Sequence, residues 1–232
     1  MSKIKVYIRH SFYSPNTALE NRKRPEWFDK KKIWDNFKKT TNHEICDVTI
    51  IYDTHFGDSS GSFFDETDNI VKINCGTEAS SFLEMLNIIQ GGNHNEDDII
   101  YMLEDDYLHL PGWTNIMIEG LGLETDYISL YDHLDKYRDY PDLLSKIYIS
   151  ESCHWRTVPS TCNTYACRFS TLIRDIDIHK FYSINHHNGI SSDHSKFINL
   201  GNIGRRLITP MPGYSTHCDL LHSPTIKWEN YI

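Results

Sequence analysis

The sequence predicts an α/β domain built on a mainly parallel sheet, and three observations carry that expectation. Apolar, β-branched stretches alternate with segments of helical periodicity from residue 4 to about residue 133. The helical segments have the length of ~10–15 residues that returns a chain to a neighbouring parallel strand in right-handed βαβ units. Arg9 and His10, Asp53, and the run Glu104-Asp105-Asp106 all fall at the carboxyl ends of those strands, where ligands sit in open parallel sheets.

The elements follow in order. "IKVYIRHSF" (4–12) alternates apolar and polar residues as a strand does. Pro25 opens the helix "PEWFDKKKIWDNFKKT", with Trp27, Trp34 and Phe37 on one face. "CDVTIIYDTHF" is a β-branched strand ending at Asp53, and "GDSSGSFFDET" is a loop. "NIVKIN" reads as a short strand, and "EASSFLEMLNIIQ" as a helix with Phe82, Met85, Leu86 and Ile89 on one stripe. "DDIIYMLED" is the most apolar strand; "PGWTNIMIEGL" supplies a helix and "DYISLYDH" a further strand. From about residue 145 the pattern loosens. "YISESCHWRTVPSTCNTYACRFSTLI" reads as a hairpin followed by a helix, and "SSDHSKFINLG" as a helix with Ser192 or Asp193 at its cap. "RRLITPMPGYSTHCD" is a late strand into a turn. With no internal repeat or linker, the simplest organisation is one domain, 1–232, with an α/β half (1–133) and a more irregular half (134–232).

Composition narrows the partners. A chain of 232 residues can bury a full core. A net charge of −9 argues against nucleic acid, which needs clustered Lys and Arg. The local basic clusters "NRKRPEWFDKKK" and "GRRL" read either as solvated faces or as an anion pocket. No apolar run approaches the ~18 residues of a membrane span, and "MSKIKVYIRHSFYS" lacks the apolar centre of a signal peptide. The expectation is a cytoplasmic protein with no transmembrane segment. The six cysteines form no CxxC pair or zinc-finger spacing and read as reduced core fillers. No GxGxxG follows the first strand, which excludes a Rossmann dehydrogenase, and no Walker A sequence is present. "HHNGISSDHS" reads as a polar loop.

The run "IIYMLEDDYLHLPGW" delivers three adjacent carboxylates, which repel one another and serve no core. A hard divalent cation such as Mg²⁺ or Mn²⁺ suits them, since it prefers carboxylate oxygens and keeps positions free for phosphate or water. The competing reading, that Asp105 or Asp106 caps the helix near Pro111, explains one acid of three.

"EDDY" after "IIYML" resembles the Asp-x-Asp signature of nucleotide-sugar glycosyltransferases of the GT-A fold. The order of parts over residues 4–133, with the acids on the fourth strand, is similar to that fold, and in detail the chain resembles the small glycosyltransferase domains of large DNA viruses and phages, whose cytoplasm would be the host's. The resemblance implies a UDP-sugar donor, Mn²⁺ (or Mg²⁺) as cofactor, and a glycan or other hydroxyl acceptor. It makes residues 1–133 the nucleotide-sugar-binding half and 134–232 the acceptor half. Asp106 would chelate the metal, with His217 as a further ligand; Glu104 and Asp105 would contact the ribose or the metal through water, Glu104 being also a candidate ligand. The leading Glu departs from the signature's Asp. Ile8, Arg9, His10 and Asp53 would line the base pocket, Asp53 accepting from uracil or, alternatively, forming a turn. Arg9, Arg22 and Arg24, and more weakly Arg205 and Arg206, would neutralise the diphosphate. Trp155, Arg156, Ser160, Thr161 and Asn163 offer an aromatic face and hydrogen-bonding groups to an acceptor, although a Trp such as Trp155 is more often core than sugar platform. An inverting mechanism needs a carboxylate base, for which Asp193 and Asp132 are the candidates; a retaining one does not. The rival functions are a metal-dependent phosphoryl-transfer enzyme and a non-catalytic nucleotide- or sugar-binding module.

Overall fold

Four strands set the frame: β1 (Ile4–Ser11), β2 (Cys46–Asp53), β3 (Ile70–Ile73) and β4 (Ile99–Glu104). They pair in parallel in the order β3-β2-β1-β4. The computed structural model describes residues 3–12, 23–57, 63–65 and 67–232. The register aligns the strand ends: Ser11 lies opposite Asp53 and Arg9 opposite Glu104. The expected α/β architecture is the one observed.

β4 is buried through its first five residues because both faces of the sheet are covered, as in parallel sheets generally. Its side chains alternate between two cores. Tyr101 and Leu103 join one that includes Trp34, Phe37, Trp113 and Met117. Ile100 and Met102 join the other, with Phe82, Met85, Leu86 and Phe197. The first face carries α1 (Lys30–Thr40) and α3 (Trp113–Leu121). The second carries α2 (Glu78–Gly91), whose predicted stripe Phe82, Met85, Leu86 and Ile89 is buried throughout.

The second half extends the same sheet. β9 (Tyr165–Arg168) runs antiparallel between β4 and β6 (Tyr127–Ile128). β10 (Leu207–Met211) lies parallel to β6, and the predicted hairpin, β7 (Ile147–Ile149) with β8 (His154–Thr157), completes nine strands among the described residues. Short α4 (Asp135–Arg138) lies between β6 and β7; α5 (Phe169–Arg174), α6 (Ile176–Ile184) and α7 (Asp193–Asn202) follow β9. All six cysteines are free. Among the described residues no helix is long and apolar enough to cross a membrane.

Three local expectations change. The first helix begins at Lys30, not Pro25: Asp29 caps it by accepting from Lys32 N–H, and Pro25–Phe28 form a turn. Trp27 therefore lies off the helix and stacks on His222. "DYISLYDH" yields only two strand residues. The acids run not into a helix but into β5 (Tyr107–His109), which pairs antiparallel with β11 (Ser215–His217) in a second, two-stranded sheet. α3 starts later, after Gly112 at φ +84°, a conformation that favours glycine. Neither Asp105 nor Asp106 caps it.

Gly120 on α3 lets the helix lie close against the sheet. A Cβ there would stand 2.4 Å from the ring of Trp155, which is fully buried. Gly120→Ala gains ~1 kcal/mol of helix propensity but overpacks a rigid ring, which costs about 1–3 kcal/mol. Urea unfolding is expected to show net destabilisation; a variant more stable than the parent would mean that α3 can move off the sheet freely.

Candidate functional site

Each of the three acids is met by basic side chains from distant parts of the chain. Glu104, the last residue of β4, accepts from Arg9 Nη2 at 3.0 Å and from Thr164 Oγ1 at 3.3 Å. Arg9, only 8% exposed, also reaches the Glu78 carboxylate at 2.9 Å and donates to Ser81 Oγ at 3.1 Å. Burial pushes Glu104 up to about 7 even against the pull of Arg9. Asp105 Oδ2 faces His10 Nδ1 at 2.6 Å and Lys30 Nζ at 2.7 Å. Burial opposes its charge, yet Lys30 and His10 outweigh burial and hold it below the usual carboxylate range.

Asp106 is the most strongly held. Its Oδ2 accepts from Arg24 Nη2 at 2.7 Å and faces His217 Nε2 at 2.9 Å. Burial works against the carboxylate; His217 and Arg24 overcome it and keep Asp106 far below its ordinary value. The β5–β11 register sets His217 opposite Tyr107, the residue after Asp106. The second ring nitrogen of His217 meets Asp219 Oδ2 at 2.7 Å. Burial would lower this histidine, but Asp106 and Asp219 raise it to about 10, so it is an imidazolium donating from both nitrogens. Asp106 Oδ1 is buried and has no hydrogen-bond partner among the described residues.

A buried carboxylate oxygen without a donor is costly and suits a cation. Among the described residues no three His, Cys, Asp or Glu side chains gather as a metal-holding group. Glu104, expected as a third ligand, instead turns to Arg9 and Thr164. Asp106 remains, and His217 can join it only by giving up the Nε2 proton, as metal binding requires of a histidine ligand. Two protein ligands fit Mg²⁺ or Mn²⁺, ions that commonly take one or two carboxylates with phosphate oxygens and water completing the shell. Beside Asp105 a pocket opens that is walled by Ile8, His10, Trp34, Phe63 and Phe64, with Lys30 at its polar side. Phe64 meets the His10 ring edge-on at 4.7 Å.

Other expected residues have different work. Arg22 lies outside the described residues. Arg205 forks onto Asp175 at 2.7 Å, and Arg206 turns to Glu124; both precede β10 and so sit at the amino ends of the parallel strands, away from the acids. Asp53 accepts from the backbone N–H groups of His55, Cys75 and Gly76, the turn-forming alternative. Asp132 is buried with both oxygens occupied, by Arg156 Nη2 at 2.6 Å and the Tyr137 hydroxyl at 2.6 Å, and Arg156 is itself buried and ion-paired to it. Trp155 is core, its indole N–H donating to Ser150 Oγ. The cause is topological: β8 lies inside the sheet, between β10 and β7. Ser160 pairs with His194, Thr161 donates to Ser129, and Asn163 donates to Glu78 and Ser191.

Asp193, at the start of α7, differs from these acids. Its side chain accepts from the adjacent His194 N–H, and burial pushes its pKa up. Sequence reasoning missed Lys30, Glu78, Lys196 and Asp219. Asp219 stands two residues beyond His217, and Lys196 one turn beyond Asp193, spacings visible in the sequence. Nothing in the sequence marked Glu78 apart from other helix-start acids.

No protein-family model matches the chain, and no curated protein matches it. Among solved structures it is similar to 4-diphosphocytidyl-2C-methyl-D-erythritol synthase, with a TM-score of 0.50 and 13% identity over 100% of this chain and 96% of that one. It is also similar to CMP:2-keto-3-deoxy-manno-octonic acid synthetase complexed with CTP, with a TM-score of 0.50 and 12% identity over 91% and 92%. The galactosyltransferase LgtC, in complex with donor and acceptor sugar analogs, aligns with a TM-score of 0.48 and 8% identity over 89% and 73%. At these identities the likeness is one of fold.

The His217 imidazolium gives a pH signature. Its folded value of about 10 lies above the ~6.5 of an unfolded histidine. Its contribution is therefore complete below pH ~6.5 and is lost as pH rises through the folded value. Denaturant unfolding of His217→Gln beside the parent is expected to show a stability gap that is widest near pH 6 and narrows towards pH 10. A gap constant over that range would mean a neutral histidine.

Proposed function

We propose that the chain is a metal-dependent glycosyltransferase, moving a sugar from a nucleoside diphosphate, uridine diphosphate first among them, to a hydroxyl of a glycan or similar acceptor. The observation that carries this reading is Asp106, buried beside His217 at the carboxyl end of the sheet with one oxygen that no described residue meets. Charge counting supports it. Arg9, Lys30, Arg24 and His217 are already committed to Glu78, Glu104, Asp105, Asp106 and Asp219. A diphosphate entering here would be uncompensated without an added cation.

Asp106, joined by His217 once its Nε2 proton is released, would hold Mn²⁺ or Mg²⁺, which supplies charge neutralisation to the departing diphosphate. The chain's own residues supply the rest. Ile8, His10, Phe63 and Phe64 offer apolar and aromatic surface to a nucleoside, and Arg24 and Lys30 lie where phosphates would pass. Asp193 would take the proton of the acceptor hydroxyl, and its raised affinity for a proton suits a general base.

One observation favours a second reading, nucleotidyl transfer. The two structures with a TM-score of 0.50 are a diphosphocytidyl synthase and a CMP synthetase seen with CTP. Calorimetric titration with UDP, in Mn²⁺ and then in EDTA, beside Asp106→Ala and with CTP, GDP and dTDP in parallel, separates the two. The expected result is micromolar, metal-dependent UDP binding that weakens at least ~100-fold in the variant. Binding of CTP but not UDP, with pyrophosphate released on turnover, would move the assignment to nucleotidyl transfer. Binding of none of them would sink both.

A further inference from the structure

Arg24 and Asp106 make half of the bond that their side chains allow. A guanidinium and a carboxylate can meet as a fork, through two parallel N–H···O bonds. Here one rung is made, from Arg24 Nη2 to Asp106 Oδ2 at 2.7 Å. Arg24 Nε and Asp106 Oδ1, a donor and an acceptor on the same ion pair, are both buried with no hydrogen-bond partner among the described residues. Both ends of the pair are also held from elsewhere. Arg24 Nη1 donates to Cys218 C=O at 2.7 Å, and the guanidinium carbon lies 4.6 Å from the centre of the Phe28 ring. Asp106 Oδ2 takes His217 Nε2 at 2.9 Å as well, and the Asp106 C=O accepts from Cys218 N–H at 2.8 Å.

Buried polar atoms without partners are costly, and what satisfies these two must bring a cation to Oδ1 and an anionic oxygen to Nε. Neither ion does so alone. A divalent cation on Oδ1 would share one carboxylate with the Arg24 guanidinium, and the two positive charges would repel where little water screens them. A diphosphate alone would satisfy Nε but would face the acids with the charge of Arg24 already spent on Asp106. A divalent cation carrying a diphosphate satisfies both atoms and cancels the repulsion. Arg9 Nε is likewise without a partner among the described residues, but Arg9 reaches Glu78 and Glu104, and Lys30 reaches Asp105. Of these three, Arg24 is the cation in contact with Asp106.

We propose that Arg24 makes the site take its divalent cation and its diphosphate as one unit: bonded to Asp106 Oδ2, its charge opposes a metal on Oδ1 until a phosphate oxygen accepts from Arg24 Nε. The role rests on the reading of Asp106 as the holder of a metal-bound nucleoside diphosphate, and adds to it a coupling between the two ligands. The metal alone is held weakly, the diphosphate tightens it, and by linkage the metal tightens the diphosphate by the same factor. Removing the Arg24 charge therefore strengthens the binding of metal alone while weakening the coupling, a sign opposite to that of a residue that merely holds the fold.

The test reads free Mn²⁺ by electron paramagnetic resonance, without turnover, on the whole chain with Mn²⁺ alone, with UDP and with inorganic pyrophosphate. It compares the parent with Arg24→Gln, which keeps a donor for Cys218 C=O but no charge, and with Arg24→Lys, which keeps the charge. All are measured at one pH, because His217 releases a proton when it binds metal, and circular dichroism confirms the fold. The parent is expected to hold Mn²⁺ at least ~10-fold more tightly with UDP or pyrophosphate than without. Arg24→Gln should hold Mn²⁺ alone about 10-fold more tightly than the parent and gain far less from either ligand, while Arg24→Lys stays near the parent with Mn²⁺ alone. Folded Arg24→Gln with the parent's affinity for Mn²⁺ alone, or a weaker one, would overturn the proposal and leave the parent's metal-dependent nucleotide binding standing. Arg24→Lys holding Mn²⁺ alone ~10-fold more tightly than the parent would also overturn it, since the charge would not be the cause. A parent that gains nothing from UDP or pyrophosphate would overturn the reading of the site itself, and this coupling with it.

Discussion

Three consecutive carboxylates can be buried only if cations arrive to meet them, and that requirement organises the molecule. An ionised carboxylate taken from water without a partner costs several kcal/mol. Here the partners come from far along the chain: Arg9 is 95 residues from Glu104, Lys30 75 from Asp105, Arg24 82 from Asp106, and His217 111 from Asp106. β1, α1, the segment before it and β11 are thus all tied to one point. The edge of the sheet that would do chemistry is also where its most distant parts are joined. A substitution among these acids is therefore a change to the fold as well as to the site.

The two-stranded sheet makes the longest of these ties possible. β5 has β11 on one side, and on the other Asn36 of α1 imitates a strand. Its side chain donates to His109 C=O at 3.1 Å and accepts from His109 N–H at 2.9 Å. His109, driven down to about 3 by burial, is neutral and pairs with Tyr101 OH at 2.8 Å. β5 is thereby clamped between α1 and β11, and Lys30, on the same helix as Asn36, reaches Asp105 while His217 of β11 reaches Asp106.

Much of this frame was legible in the sequence, for physical reasons. The apolar stripe of α2 and the unbroken run of β4 are local patterns, and the carboxyl-end rule located Arg9, His10, Asp53 and the acids together. Applied to Arg205 and Arg206, which precede their strand, the same rule would have set them at the opposite edge. The acceptor set failed for a different reason. Arg156, Asn163 and Trp155 are residue types suited both to sugar binding and to buried lattices. Only the non-local order β9-β6-β10-β8-β7 decides between them. Side-chain type fixes what a group can bond, and topology fixes whether the bond is already made.

That distinction also separates the two acids that were rivals for the base. Burial raises both Asp132 and Asp193, so the direction of the shift does not discriminate. Occupancy does. Asp132 has one oxygen on the Arg156 guanidinium and the other on the Tyr137 hydroxyl, and its side chain is almost wholly enclosed. To accept a proton it would have to release a buried arginine, leaving that charge uncompensated, which costs roughly 3–5 kcal/mol. Asp193 spends one oxygen on a neighbouring backbone amide. A base must offer a lone pair within reach of the proton it takes, and of these two carboxylates only Asp193 has one to offer.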